Sequence, residues 1–265
     1  MKPRLSIALA SMALGLLLAS SAQADFGFLP GAAGFQVTAT QQGGDPARLA
    51  GSHPYDLQIE TNFKLAPENQ DEPGIQFTDG DLKDFHLDLP PGLVENSLAV
   101  PRCLQELFHT PRVSPFEANL SGESCPDKTQ IGTIEMRTSF GGGSTRTFGV
   151  FNLAPPPGFP SQFGAAPYGS PITITPRIRE TGAEYGLTLD LENFPQQLNT
   201  YGFTLKLWGT PWSVAHNGER GNCLNALEPS FPWAKCSVGR PLLNPRLAYL
   251  TLPASCTTPM TFTVA

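Results

Sequence analysis

The chain has 265 residues, of which 26 are Gly, 27 are Pro and only 15% are charged. Gly and Pro interrupt the chain so often that a helical bundle or a coiled coil is excluded, because proline in a helix interior costs about 3 kcal/mol. The net charge of −6 argues against nucleic-acid binding, which needs basic surface to hold phosphates.

Residues 1–24 have the pattern of a secretory signal peptide. A short basic start precedes an apolar run over residues 5–18, and Ala22-Gln23-Ala24 fits the small-x-small pattern of a cleavage site. The run is shorter than the roughly 20 residues that span a bilayer. We therefore expect cleavage before Asp25, no membrane span in the mature chain, and a protein that is secreted, on the cell surface or in the periplasm.

Alternating apolar and polar residues predict short β-strands through the rest of the chain. Residues 56–65 alternate without interruption. Leu57, Ile59 and Phe63 lie on one side of the predicted strand, and polar residues lie on the other. Further strands are predicted at residues 35–40, 85–89, 131–136, 147–153, 172–178, 185–191, 203–207 and 247–252. Pro176 interrupts one of them, which is typical of an edge strand or a bulge.

These strands predict an all-β fold, an antiparallel β-sandwich of jelly-roll or immunoglobulin-like type with one or two short helical turns, at residues 101–108 and 222–227. The domain would span residues 25–252, either as one unit or as two subdomains that meet near 154–170. Residues 253–265 would form a terminal strand or begin a following module. The predicted core contains Leu57, Ile59, Phe63, Phe85, Leu87, Leu89, Leu187, Leu189, Phe203, Leu205 and Leu207.

Acidic residues crowd the segment before residue 85. Asp79, Asp81 and Asp84 offer the hard oxygen ligands that Ca²⁺ prefers, although the spacing of an EF-hand loop is missing. Ca²⁺ is the one cofactor that the sequence suggests, and a solvated acidic loop is the alternative. Asp84, His86 and Asp88 share one face of the next strand, as either a metal site or the wet face of a sheet.

All five cysteines follow residue 100, which agrees with disulfide formation in an oxidising compartment. Pairing of nearest neighbours predicts Cys103–Cys125 and Cys223–Cys236. Cys256 is then left over, either free or paired with something beyond this chain, and a Cys223–Cys256 or Cys236–Cys256 bond would contradict this pairing.

Aromatic residues cluster late in the chain, at Tyr201, Trp208, Trp212 and Trp233. Exposed aromatic rings on a β-sandwich can stack on sugars, whereas buried ones cap the end of a core. The sequence alone leaves both interpretations open.

Residues 216–223 hold several reactive side chains together. His216 or Glu219 would serve as the base of a hydrolase. The alternative is a structural loop tied down by Cys223, with Arg220 paired to a carboxylate.

Several blocks as a set resemble the opening module of large, uncharacterised secreted β-rich proteins found mainly in actinobacteria. They lie at residues 51–54, 87–94, 101–103, 124–126, 130–133, 150–153, 208–211 and 216–223. The resemblance covers most of the chain after residue 25. It implies that further β modules usually follow, and it implies no activity.

The sequence contains no GxSxG, HExxH or Walker-type motif. It therefore favours a non-enzymatic exported protein of the cell surface or extracellular space, either structural and adhesive or carbohydrate-contacting. Its partners would be a glycan or other surface proteins, and not nucleic acid. The alternative is a secreted hydrolase with its site near His216 and Glu219.

Overall fold

The computed structural model describes residues 26–67, 73–110, 125–140, 143–181, 184–221, 223–224, 246–255 and 259–265. The predicted signal peptide, Trp233, Cys236, Cys256 and most of the predicted helical turn at 222–227 lie outside the described residues. Within these ranges, no helix has the length and apolar character that crossing a membrane would require.

Short β-strands make up most of the regular structure in these ranges. They are β1 (Phe35–Thr40), β2 (Asp56–Asn62), β3 (Phe85–Asp88), β4 (Val94–Glu95), β5 (Gln130–Thr138), β6 (Ser144–Leu153), β7 (Gln162–Ala165), β8 (Ile172–Thr181), β9 (Glu184–Leu191), β10 (Thr200–Trp208), β11 (Leu250–Thr251) and β12 (Thr263–Val264). A one-turn helix, α1 (Gln105–Phe108), follows β4, and a 3₁₀ turn over Val214–Glu219 follows β10.

Ten strands form one continuous sheet in the order β1-β2-β10-β5-β6-β7-β8-β9-β3-β12, and β11 pairs with β4 in a small second sheet. All of these neighbours pair antiparallel. The all-β antiparallel fold predicted from alternation is therefore confirmed.

The large sheet folds over on itself to make the sandwich. Phe85 of β3 and Phe203 of β10 lie six positions apart in the strand order, yet their ring centroids are 5.3 Å apart. One hydrophobic core lies between the two halves. All of the predicted core residues are buried in it except Leu187, which is half-buried.

The predicted strand at residues 56–65 shows where alternation predicts burial correctly and where it does not. Leu57 and Ile59 are each 1% exposed, while Asp56 and Gln58 face outward. Leu65 fits the same period, but it is 44% exposed because it lies beyond the end of β2.

Pro176 lies in the part of β8 that pairs with a strand on one side only, among the described residues. β7 pairs with β8 only from Ile172 to Ile174, so beyond that point β9 is the only strand beside β8 among the described residues. A proline, which lacks an N–H, is tolerated at such an edge. The predicted edge position is confirmed.

Most predicted strands differ from the structure by one to three residues at an end, and the start of the helix differs by four. The helix begins at Gln105 rather than Pro101, because the backbone of Cys103 bonds to the end of β6 instead: Cys103 N–H donates to Asn152 O at 2.8 Å. β7, which alternation did not predict, carries the large sheet through the region 154–170. At the other end of the chain, β12 pairs with β3.

The predicted disulfide Cys103–Cys125 is confirmed, with a Cα–Cα distance of 5.5 Å. Both cysteines are 1% exposed and pack against Phe108, Phe151 and Leu153 in a small second core. Cys223 is also disulfide-bonded, and its partner lies outside the described residues.

Candidate functional site

The late aromatic residues that the structure describes do not form an exposed platform. Trp208, the last residue of β10, is 0% exposed, while Tyr201 and Trp212 are half-buried. Because stacking on a ligand needs an open ring face, Trp208 offers no exposed stacking surface and packs in the interior, while binding at Tyr201 and Trp212 stays a prediction.

His216 is the centre of a buried stack. Its ring lies between Tyr55, at 4.0 Å and 13°, and Trp208, at 4.4 Å and 20°. Neither ring nitrogen has a hydrogen-bond partner among the described residues. Burial, together with the charges of Arg220 and Lys206, lowers the pKa of His216 to about 3. The structure therefore holds His216 neutral, and among the described residues no carboxylate or serine hydrogen-bonds to its ring.

Arg220 anchors the segment that carries this histidine. It is fully buried and donates to the backbone carbonyls of Asp127 at 3.1 Å, Gln130 at 3.2 Å and Pro211 at 2.7 Å. Its guanidinium carbon lies 4.6 Å from the centre of the Trp208 ring. The hydrogen bonds that Arg220 makes among the described residues go to these carbonyls, and the nearby charge of Asp127 opposes the lowering of the Arg220 pKa that burial causes. The residues around His216 thus form a rigid support rather than an open site.

Above this support, polar side chains line up on the outer face of the first half of the sheet. Gln58 of β2 pairs in register with Lys206 of β10, which pairs with Thr133 of β5. The next row runs through Glu60, Thr204, Glu135 and Thr147. Together they line a depression of about 390 Å³, which we call the polar trough.

The segment after β10 provides one wall of the polar trough. Glu219, at the end of the 3₁₀ turn, forms an ion pair with Lys206 at 2.8 Å. The backbone around it is held by Gln130, whose amide donates to Glu219 O at 2.8 Å and accepts from Gly221 N–H at 3.0 Å. Glu219, predicted as a base, is therefore paired and fixed at the rim.

Arg137 fixes the other end of the trough. It donates to Glu135 Oε1, Thr204 Oγ1 and Thr61 O, each at 3.0 Å. With 17% of its side chain exposed, Arg137 holds two lining side chains in place. The basic groups of the trough are thus each paired with an acid, and hydroxyl and amide groups occupy the positions between them.

Asp56 lies on the same outward face of β2, two residues before Gln58. Its Oδ1 atom is buried and has no hydrogen-bond partner among the described residues. Burial, opposed by Lys206, raises the pKa of Asp56 to about 6. This acid has capacity for a hydrogen bond that the described part of the protein does not use.

The candidate calcium ligands are not gathered into a site. Asp84 accepts from Asn193 N–H at 2.9 Å, while Asp79 and Asp81 are both exposed. Among the described residues, no group of three or more His, Cys, Asp or Glu side chains is arranged to hold a metal ion. Calcium binding stays a prediction.

The arrangement Asp84-x-His86-x-Asp88 forms part of an ion-pair ladder on the other outer face of the sheet. His86 Nδ1 lies 2.6 Å from Asp190 Oδ1, and Arg177 Nε lies 2.5 Å from Asp190 Oδ2. Asp88 accepts from Thr188 Oγ1 at 2.6 Å. This is the solvated strand face that alternation also allowed.

Comparisons with protein families, with curated proteins and with solved structures found no match for this chain. The resemblance to the opening module of actinobacterial secreted proteins therefore stays a prediction.

Sequence reasoning missed the polar trough as a site. Alternation did place Gln58 and Glu60 on the polar side of β2, and it did the same for Lys206 in β10. It gave no information on which strands are neighbours, since β2 and β10 lie far apart in the chain and meet only in the folded sheet.

Proposed function

We propose that this protein is an exported, non-enzymatic β-sandwich module that binds carbohydrate in the polar trough. The observation that carries the proposal is the trough itself, in which rows of hydroxyl, amide and charged side chains are held in register across β2, β10, β5 and β6. The proposal keeps the carbohydrate partner suggested by the sequence and moves its site from the tryptophans to this sheet face.

The chemistry of the trough suits a neutral, polyhydroxylated ligand. Sugar hydroxyls donate and accept hydrogen bonds, and the lining offers both kinds of partner in Gln58, Thr204 and Glu60. The ion pairs of Lys206 with Glu219 and of Arg137 with Glu135 satisfy the basic groups internally, so the lining does not select an anion. A volume of about 390 Å³ lies within the range of small-ligand sites.

Rigidity supports a binding role. The Glu219 wall rests on the His216 stack and on the three carbonyl contacts of Arg220. A wall that is already ordered loses little conformational entropy when a ligand binds. Export rests on the N-terminal sequence pattern, and the non-enzymatic role rests on the burial of His216 in its stack, where its ring nitrogens have no hydrogen-bond partner among the described residues.

The test is a glycan array probed with the chain purified without residues 1–24, run beside a broad panel of hydrolase substrates. We expect selective binding to neutral glycans and no turnover. Gln58→Ala should weaken binding at least about tenfold, which corresponds to 1.4 kcal/mol. The matched control is Gln197→Ala, an exposed glutamine outside the trough, which should leave binding unchanged.

Absence of glycan binding, or equal effects of the two alanine variants, would contradict the trough as a carbohydrate site. Turnover of any substrate that is lost in the Glu219→Gln variant would instead favour the hydrolase.

A further inference from the structure

An apolar hollow opens where the β8–β9 hairpin extends past the core. Ile178 and Leu187 are cross-strand partners on the face of the hairpin that also carries the buried Ile174 and Leu191. Ile178 is nevertheless 65% exposed, and Tyr185 on the same face is 67% exposed. The core-facing side of the hairpin is therefore left uncovered at this end.

The opposite wall comes from the chain around β4. Leu93, Val94 and Glu95 face the hairpin across a space of about 330 Å³, which is within the size range of small-molecule sites. We call this space the hairpin hollow. Its lining is mainly apolar, and Glu95 is the acidic residue in it.

Two hydroxyl groups hold the side chain of Glu95 in place at the hollow. Its Oε1 accepts from Ser161 Oγ, and its Oε2 accepts from Tyr249 OH at 3.2 Å. A carboxylate has about four acceptor positions, so these bonds leave capacity for a further donor. Burial raises the pKa of Glu95 to about 7, and near neutral pH the group can therefore both donate and accept.

The surrounding charges select a neutral head group. Arg102 donates to Ser97 Oγ at 3.2 Å, and Ser97 borders the hollow. Arg179 donates to Leu89 O at 2.8 Å and forms an ion pair with Asp88 at 3.3 Å, so both arginines are already bonded and neither lines the hollow. An anionic head group would meet Glu95 with no basic lining residue to pair with it. A charged head group of either sign would also lose its hydration in a mainly apolar space, a cost that a neutral hydroxyl largely avoids.

We propose that the hairpin hollow binds a small, mainly apolar molecule that carries one neutral hydroxyl group, with that hydroxyl bonded to Glu95. This site shares no lining residue with the polar trough. The two proposals therefore stand or fall separately.

The test titrates 1-hexanol, hexylammonium and hexanoate into the ¹⁵N-labelled full chain and follows backbone amide shifts by NMR. The alcohol should produce saturable shifts at residues 93–97 and 185–187. The two charged probes of equal chain length should bind at least about tenfold more weakly, a difference of 1.4 kcal/mol.

Ile178→Trp should fill the hollow and weaken hexanol binding at least about tenfold. Leu104→Trp is the matched control, because Leu104 is 55% exposed and does not line the hollow. If Ile178→Trp fails to give a dispersed NMR spectrum, Val94→Trp on the opposite wall, where Val94 is 49% exposed, replaces it.

Equal affinity for all three probes, amide shifts spread outside the hollow, or unchanged hexanol binding by the folded filling variant would each overturn the proposal. Loss of glycan binding in the trough would leave it unaffected.

Discussion

Two aspartates on the two outer faces of the sheet differ in how they are partnered. Asp190 of β9 lies 2.5 Å from Arg177 Nε and 2.6 Å from His86 Nδ1, whereas the buried Oδ1 of Asp56 in β2 has no partner among the described residues. Charges are paired on both faces, since Lys206 and Arg137 of the trough also form ion pairs. The difference is Asp56, whose buried Oδ1 atom is left without a hydrogen bond by the described residues.

The segment after β10 accounts for much of the difference. On the trough face, this segment brings Glu219 and Leu224 beside the strands, and the flat sheet becomes a depression. On the ladder face, the charged side chains bond directly across β3, β9 and β8. The two faces have the same alternating sequence pattern, and the segment that follows β10 makes one of them concave.

The largest expected effect comes from removing the support beneath the trough. Trp208→Ala should lower the free energy of unfolding by about 3–5 kcal/mol, because it leaves a cavity in a fully buried site. It should also remove one side of the His216 stack and weaken glycan binding. Urea denaturation measures the first effect and glycan titration the second.

Tyr185→Ala is the control for that substitution, because Tyr185 is 67% exposed and should change stability by less than about 0.5 kcal/mol. If Trp208→Ala reduces stability by no more than this control, the account of the buried stack is wrong.

The disulfide should support the trough half more than the ladder half. Replacing Cys103 and Cys125 with alanine should cost about 3 kcal/mol by the chain-entropy estimate. Since the disulfide packs against Phe151 and Leu153 of β6, amide hydrogen exchange should accelerate in β6 more than in β9. Uniform acceleration across both strands would show that the disulfide supports the two halves equally.

The sequence allowed the strands to be predicted better than the site. Alternation located β2, β3 and β10 and nearly all of their buried residues, because one wet face and one dry face are a local property of a strand. It overran at Leu65, which lies beyond the end of β2, and it did not show that Ile178, inside β8, is 65% exposed. Strand neighbours, the burial of Trp208 and the trough wall all depend on contacts between residues far apart in the chain.

On the ladder face, Asp190→Asn should be destabilising. The substitution removes the charge from an ion pair whose aspartate side chain is 8% exposed, while Arg177 is 47% exposed. Because the arginine stays in contact with water, the loss at pH 7 should be about 1 kcal/mol or less. It should shrink further in 1 M salt, which screens exposed charges. Urea denaturation at the two salt concentrations measures it, and a loss that does not depend on salt would contradict the electrostatic origin.

On the trough face, the same change from aspartate to asparagine should raise the free energy of unfolding instead of lowering it. The pKa of Asp56 is raised from its ordinary value of 3.8 to about 6, so the folded state holds the proton more tightly than the unfolded state. Below pH 3.8 the two states are equally protonated at this group. As the pH rises toward 6, Asp56 ionises in the unfolded chain before it ionises in the folded state. The free energy of unfolding therefore falls, and it does not recover at higher pH. Asp56→Asn should therefore be more stable than the parent chain at pH 8 and equal to it near pH 3.5, as measured by urea denaturation at both pH values. If Asp56→Asn is destabilising at pH 8, as Asp190→Asn is expected to be, the buried carboxyl has a partner and the contrast between the two faces does not hold.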